Sequence, residues 1–164
     1  MKIFDRKRPI HIQPIILDNM PVILFLTICS KNKRNIFNNN KFHLAAKKAW
    51  KKTDYWKCGY YMIMPDHIHF FITPNQLPIY NLKNWVVYWK RLVTTEYEKQ
   101  MNSCKNIWEK DFWDTQMRTR DHYMRKLNYA LQNPVTKKMV DNTEDWPYQG
   151  YINDNLLFKN VHSS

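Results

Sequence analysis

The order in which the hydrophobic period changes along the chain limits the possible folds more than any other feature. From Pro21 the run VILFLTICS is apolar and β-rich, and reads as a buried strand. KFHLAAKKAWKK follows with Phe42, Ala45, Ala46, Ala49 and Trp50 at helical spacing and lysines on the other side; Asn38, Asn39 or Asn40 can cap it. YWKCGYYMIM and HIHFFIT then read as two strands, joined through Pro65-Asp66 closely enough to pair as a hairpin. The longest helical pattern, LKNWVVYWKRLVTTEYEKQM, gathers Leu82, Trp85, Val86, Trp89, Val93 and Tyr97 on one face. NIWEKDFWDTQM reads as a fourth strand, and RDHYMRKLNYALQN as a last helix, capped by Thr119 and ended by Pro134. The order β-α-β-β-α-β plus a helix predicts an α+β, ferredoxin-like (RRM-like) split βαβ fold. In it two helices cover one face of an antiparallel sheet, and the other face is left free for a site. Many functions share that arrangement, so function must be argued from particular residues.

Length predicts one domain spanning residues 1–164. Within it, residues 1–20 read as an irregular basic arm broken by Pro9 and Pro14, and residues 141–164 as a tail. An aromatic share of 15% within 44% hydrophobic residues supplies a core and argues against disorder. Lys and Arg number 26 against 14 acids, a net +12 that attracts polyanions, nucleic acid foremost. Cys29, Cys58 and Cys104 are too far apart for a zinc ribbon or a disulfide framework, which fits a reducing cytoplasm. MKIFDRKRPIHIQPIIL lacks the apolar core of a signal peptide, and no stretch reaches membrane-spanning length. A soluble intracellular protein with no membrane partner is expected.

Two clusters carry chemistry. In PDHIHFFI, alternation along a strand points His67 and His69 the same way while Ile68 and Phe70 enter the core. Such a pair can bind a divalent metal, or a phosphate if protonated. On the last helix, Met124, Leu127 and Leu131 form one stripe at about 100° per residue. His122, Arg125, Lys126, Tyr129 and Asn133 fall on the opposite side. Tyr129 thus has cations one turn back and an amide one turn on. Cations flanking a phenol favour its phenolate, and the Asn133 amide can offer a neutral oxygen to a metal. A phosphoryl-transfer site results if helix and strand meet: a metal polarises the phosphate, and an aligned hydroxyl attacks in line.

MPDHIHFFI, FWDTQMRTRDHYMRKLNYALQNPV and then DWPY, together with FLTICSKNKRNIF and WKRLVTT, resemble the REP-associated tyrosine transposases. These are relatives of small insertion-sequence transposases with one HUH motif and one tyrosine. The resemblance spans nearly the whole chain. It implies that His67 and His69 are metal ligands, that Tyr129 is the nucleophile and that Asn133 is a third ligand. It implies Mg²⁺ or Mn²⁺ as the ion, and single-stranded or hairpin DNA (REP-like palindromes) as the partner. The implied reaction is cleavage through a 5′-phosphotyrosine, releasing a 3′-hydroxyl that can later reverse the step. The implied setting is a bacterial, nucleoid-associated protein of the cytoplasm, acting as monomer or homodimer. The sequence departs from the family pattern after NPV, where Lys138 stands in place of a frequent glycine, so the helix exit is expected to differ. Asn133 precedes proline and is expected to lean away from helical geometry.

DNA phosphates are expected to meet Lys31, Lys33 and Arg34 after the first strand, and Lys90 and Arg91 on the long helix. Arg118, Arg120, Arg125 and Lys126 around the tyrosine helix complete the set. Exposed aromatics can stack on unpaired bases; Trp50, Trp85 and Trp89 read as core, with Trp108, Trp113 and Trp146 open. Two other readings share these residues: a catalytically inactive hairpin-binding protein of RRM-like fold, and a metal-dependent hydrolase that uses water instead of tyrosine.

Overall fold

The computed structural model describes residues 8–102 and 105–153, so Cys104 and the ends of the arm and tail lie outside the described residues. The elements are β1 (Leu24–Ser30), α1 (Asn40–Lys52), β2 (Trp56–Ile63), β3 (His67–Pro74), α2 (Leu82–Glu98), β4 (Trp108–Gln116), α3 (Arg120–Thr136) and β5 (Gln149–Tyr151). The sheet is antiparallel, in the order β4-β1-β3-β2-β5. Its first four strands and two helices are the ferredoxin-like arrangement that the periodicity predicts. Among the described residues no helix is long and apolar enough to cross a membrane.

Local chemistry sets the element boundaries. Asn39 caps α1, its side chain accepting from the Phe42 N–H at 2.9 Å, and Thr119 caps α3 by accepting from the His122 N–H at 3.1 Å. Each such cap stabilises its helix by about 1 kcal/mol. The two long helices bury the faces expected of them, with Trp50 stacked on Trp89 at 5.1 Å between ring centres. They cover the sheet face that presents Leu24, Leu26, Ile28, Ile68, Phe70 and Ile72.

Three features differ from the expectation. Residues 149–151, read as part of a tail, pair with β2 and extend the sheet, while Trp146 is buried and donates its indole N–H to the Ile63 carbonyl. A three-residue strand is too short to leave a periodic signal. The second sheet face is not free, because α3 packs on Phe25, Tyr60, Met62 and Phe71. Pro134 lies inside α3 rather than ending it, and Asn133 is helical.

The helix ends two residues beyond Pro134, at Thr136. There the Lys138 N–H bonds to the Val135 carbonyl and the Met139 N–H to the Pro134 carbonyl, the two bonds of a Schellman turn. Lys138 takes the left-handed conformation itself, at φ 57°. A side chain there is strained where glycine is not. Lys138→Gly is therefore expected to stabilise the protein by about 1 kcal/mol, raising the thermal midpoint by roughly 2–4 °C. A melting curve checks this, and an unchanged or lower midpoint would contradict it.

Candidate active site

β3 lies at the centre of the sheet, and alternation along it sends Ile68 and Phe70 into the helix-covered core. His67 and His69 rise from the other face, their ring centres 4.7 Å apart. His69 is buried: its ring stacks on Phe25 at 5.1 Å, and its Nδ1 lies 2.9 Å from Thr27 Oγ1 on the neighbouring strand. His67 is half-buried, with Nδ1 2.7 Å from a carboxylate oxygen of Asp66. A carboxylate on one ring nitrogen fixes the tautomer and leaves the lone pair on the other, as at the outer shell of metal-ligating histidines.

α3 brings the remaining groups over this pair. Its sheet-facing stripe is Tyr123, Leu127, Ala130 and Pro134, whereas Met124 is exposed and Leu131 only partly buried. The expected apolar stripe is thus rotated by roughly a sixth of a turn, because the Tyr123 ring outweighs Met124 as a core group. The consequence is geometric. His122, Lys126, Tyr129 and Asn133 flank the packed stripe instead of lying opposite it, so they overhang the sheet. The Tyr129 ring stands 5.5 Å from the His69 ring, edge to face, while 58% of the residue remains exposed. Lys126 Nζ lies 5.6 Å from the centre of the Tyr129 ring and 5.5 Å from that of Phe25. The Asn133 amide nitrogen is 3.1 Å from His67 Nε2, and Asn133 is buried.

His69 Nε2 is a buried atom with no hydrogen-bond partner among the described residues. A buried polar atom without a partner is costly, and it is accounted for if the lone pair is used by a ligand. Burial, aided by His67 and Lys126, pushes the His69 pKa down to about 3. A neutral imidazole cannot hold phosphate by charge, so of the two uses open to this pair, metal ligation fits His69. Among the described residues no three His, Cys, Asp or Glu side chains group closely enough to hold an ion, which leaves the Asn133 amide as the neighbouring third donor. An amide whose nitrogen meets His67 presents its oxygen there after a flip about one bond. The donor set therefore suits a divalent ion.

The structure divides the expected basic track. Arg118 and Arg125 are exposed, and Lys126 half-buried, on the side of the site. Arg120 begins the same helix. Lys31, Lys33 and Arg34 follow β1 beyond Cys29, which pairs with His67, and Arg34 also donates to the Asn106 carbonyl at 2.8 Å. Lys90 and Arg91 belong to α2, on the far face of the sheet. Lys90 is half-buried, donating to the Glu109 carbonyl at 2.9 Å, and burial holds its pKa below the usual lysine value. Two supporting groups, Thr27 and Asp66, were not singled out from the sequence. Asp66 had a signal, a carboxylate directly before an H-x-H pair; Thr27 reaches His69 only through strand pairing.

No family model matches the chain. A protein of Haemophilus influenzae named for the REP-associated tyrosine transposases is 32% identical over 104 residues, covering 56% of this chain. The chain spans 57% of that relative's length. The REP-associated tyrosine transposase of Escherichia coli is 26% identical over 135 residues, 79% of this chain and 76% of that protein. Among solved structures, a REP-associated tyrosine transposase bound to a REP hairpin superposes with a TM-score of 0.66 at 20% identity. That match covers 87% of this chain and 82% of the other, and it shows the shared fold. The likeness that the motifs carry is thus found again in sequence and in fold: the chain is similar in sequence to two REP-associated tyrosine transposases and shares the fold of a solved one.

Proposed function

We propose that this protein cuts and rejoins single-stranded DNA beside a REP-type hairpin, with Tyr129 as the nucleophile. The observation that carries the reading is the placement of the Tyr129 ring 5.5 Å from His69, on an element that the fold lays over the histidine pair. The names of the relatives, and the REP hairpin bound to the solved one, support the choice of substrate. Tyr129 Oη forms a bond to phosphorus while the bond from phosphorus to the 3′-oxygen breaks. The phenol proton ends on that oxygen, and a 5′-phosphotyrosine remains. One phosphodiester replaces another, so no external energy source is needed and the step is reversible.

His67 Nε2, His69 Nε2 and the Asn133 amide oxygen would hold a divalent ion, Mn²⁺ or Mg²⁺. Such an ion, when bound, polarises a phosphoryl oxygen and neutralises developing charge. Asp66 and Thr27 hold the two imidazoles in place. Lys126, one turn before Tyr129, offers positive charge to the phosphate or to the phenolate. Arg118, Arg120 and Arg125 extend the cationic surface along α3, and Lys31, Lys33 and Arg34 continue it past the His67 end of the sheet.

Covalent capture tests the reading. The protein is incubated with an end-labelled DNA hairpin carrying unpaired flanks and Mn²⁺, then denatured and run on a gel. A labelled protein band is expected, lost with a chelator and restored better by Mn²⁺ than by Mg²⁺, because imidazole donors suit the softer ion. Binding without a covalent band would overturn the reading in favour of an inactive hairpin-binding protein. Cleavage without one would favour a hydrolase that uses water.

A further inference from the structure

We infer that Trp113 is the platform on which an unpaired DNA base next to the scissile phosphate stacks, a reading that rests on the strand-cleaving function proposed above. The other six tryptophans are occupied. Trp50, Trp56, Trp85, Trp89 and Trp146 are buried, and Trp108 is half-buried with its indole N–H donated to Thr94. Trp113 is 46% exposed, and among the described residues no ring packs on it and no acceptor takes its N–H. A large flat apolar ring left open in the middle of an edge strand contributes little to this fold.

Strand pairing fixes where that ring stands. Thr27 on β1 is directly opposite His69 on β3 and directly opposite Trp113 on β4. Side chains of directly paired residues emerge on the same face. Trp113, Thr27 and His69 therefore form one row across the sheet, on the face that α3 covers only in part. Two strand spacings separate the ends of the row, roughly 10 Å. Phe25, two residues before Thr27 on the same face, carries Lys126 Nζ above its ring. Nucleophile, cation and open indole thus surround a small patch of sheet. A single strand whose phosphate sits at Tyr129 and Lys126 would bring a neighbouring base over the indole.

The charge on β4 does not oppose this. Asp114, next to Trp113, points to the opposite face by alternation, where its carboxylate is hydrogen-bonded to the His11 ring. Asp111 is held by the other nitrogen of the same ring at 2.7 Å. The indole therefore stands apart from both carboxylates. Stacking does not discriminate strongly among bases, since every base has a π-face. The platform accordingly sets the position of the strand rather than its sequence.

The test compares a fluorescein-labelled DNA hairpin bearing an unpaired, thymidine-rich flank with the same hairpin lacking the flank. Trp113→Thr, which keeps strand propensity, is expected to weaken binding of the flanked hairpin by about tenfold, the loss of one stacked base. Binding of the blunt hairpin should be unchanged, and Trp113→Phe should restore most of the difference. In the unmutated protein, 5-iodouridine in the flank should cross-link under light to the peptide containing Trp113. Equal affinity of Trp113→Thr and the parent for the flanked hairpin, or cross-links only elsewhere, would overturn the platform. Those results would leave the covalent-capture reading intact. Conversely, the expected loss in a protein that never forms the covalent band would keep the platform and sink the cleavage.

Discussion

Tyr129→Phe should still bind a flanked hairpin at close to the parent affinity, and the covalent protein–DNA band should vanish. The substitution removes one oxygen and nothing else. Tyr129 is largely exposed, and its ring contacts, the edge of His69 and the ammonium of Lys126, persist with a phenylalanine. Stability should therefore change by no more than about 0.5 kcal/mol. No neighbouring tyrosine can take over. Tyr123, on the same helix, is buried against Phe71, and burial pushes its phenol well above the ordinary value, as it does for Tyr60 and Tyr61. The measurement is the denaturing gel, with a melting curve of the variant beside it. A covalent band that survives would remove Tyr129 from the chemistry, whatever its position.

His67→Ala is expected to reduce strand joining by at least about a hundredfold while hairpin binding stays near normal. Loss of one of two imidazoles removes several kcal/mol of charge stabilisation at the phosphate if the ion is lost with it. Hairpin affinity should come mostly from backbone contacts spread over the cationic surface, which the substitution does not touch. Folding should also tolerate it, because His67 lies at the first position of β3 and is only half-buried. His69 is the poorer choice for this experiment. Its ring fills the space between Phe25, Thr27 and Tyr129, so a truncation there would confound loss of a ligand with a packing defect. Rates are compared in single-turnover cleavage across a range of Mn²⁺. Full activity of His67→Ala at low ion concentration would exclude His67 as a ligand.

The fold was legible where the chain repeats itself. Two long helices with apolar faces, a hairpin closed by Pro65-Asp66 and asparagine and threonine caps all leave marks on a scale of several residues. What could not be read were features decided by partners distant in sequence. The phase of α3 depended on whether Tyr123 or Met124 met the sheet, and a wheel of one helix cannot tell a buried tyrosine from a polar one. Pro134 was expected to end the helix. Its missing N–H falls so close to the C-terminus that one lost bond is tolerated for the two further residues before the Schellman turn. The H-x-H pair and the tyrosine were visible as residue types in a pattern. Their approach to one another, and the roles of Thr27 and Asp66, belong to strand order and to the packing of α3.

One consequence of α3 folding back onto the sheet concerns reaction order. The tyrosine, the two imidazoles and the amide all come from a single polypeptide, across contacts that each chain makes with itself. Under the proposed mechanism, a site that one polypeptide completes by itself is expected to give bond breaking that scales with the first power of protein concentration, which a dilution series of the cleavage rate checks. A steeper dependence on dilution would show that a second copy takes part in the site.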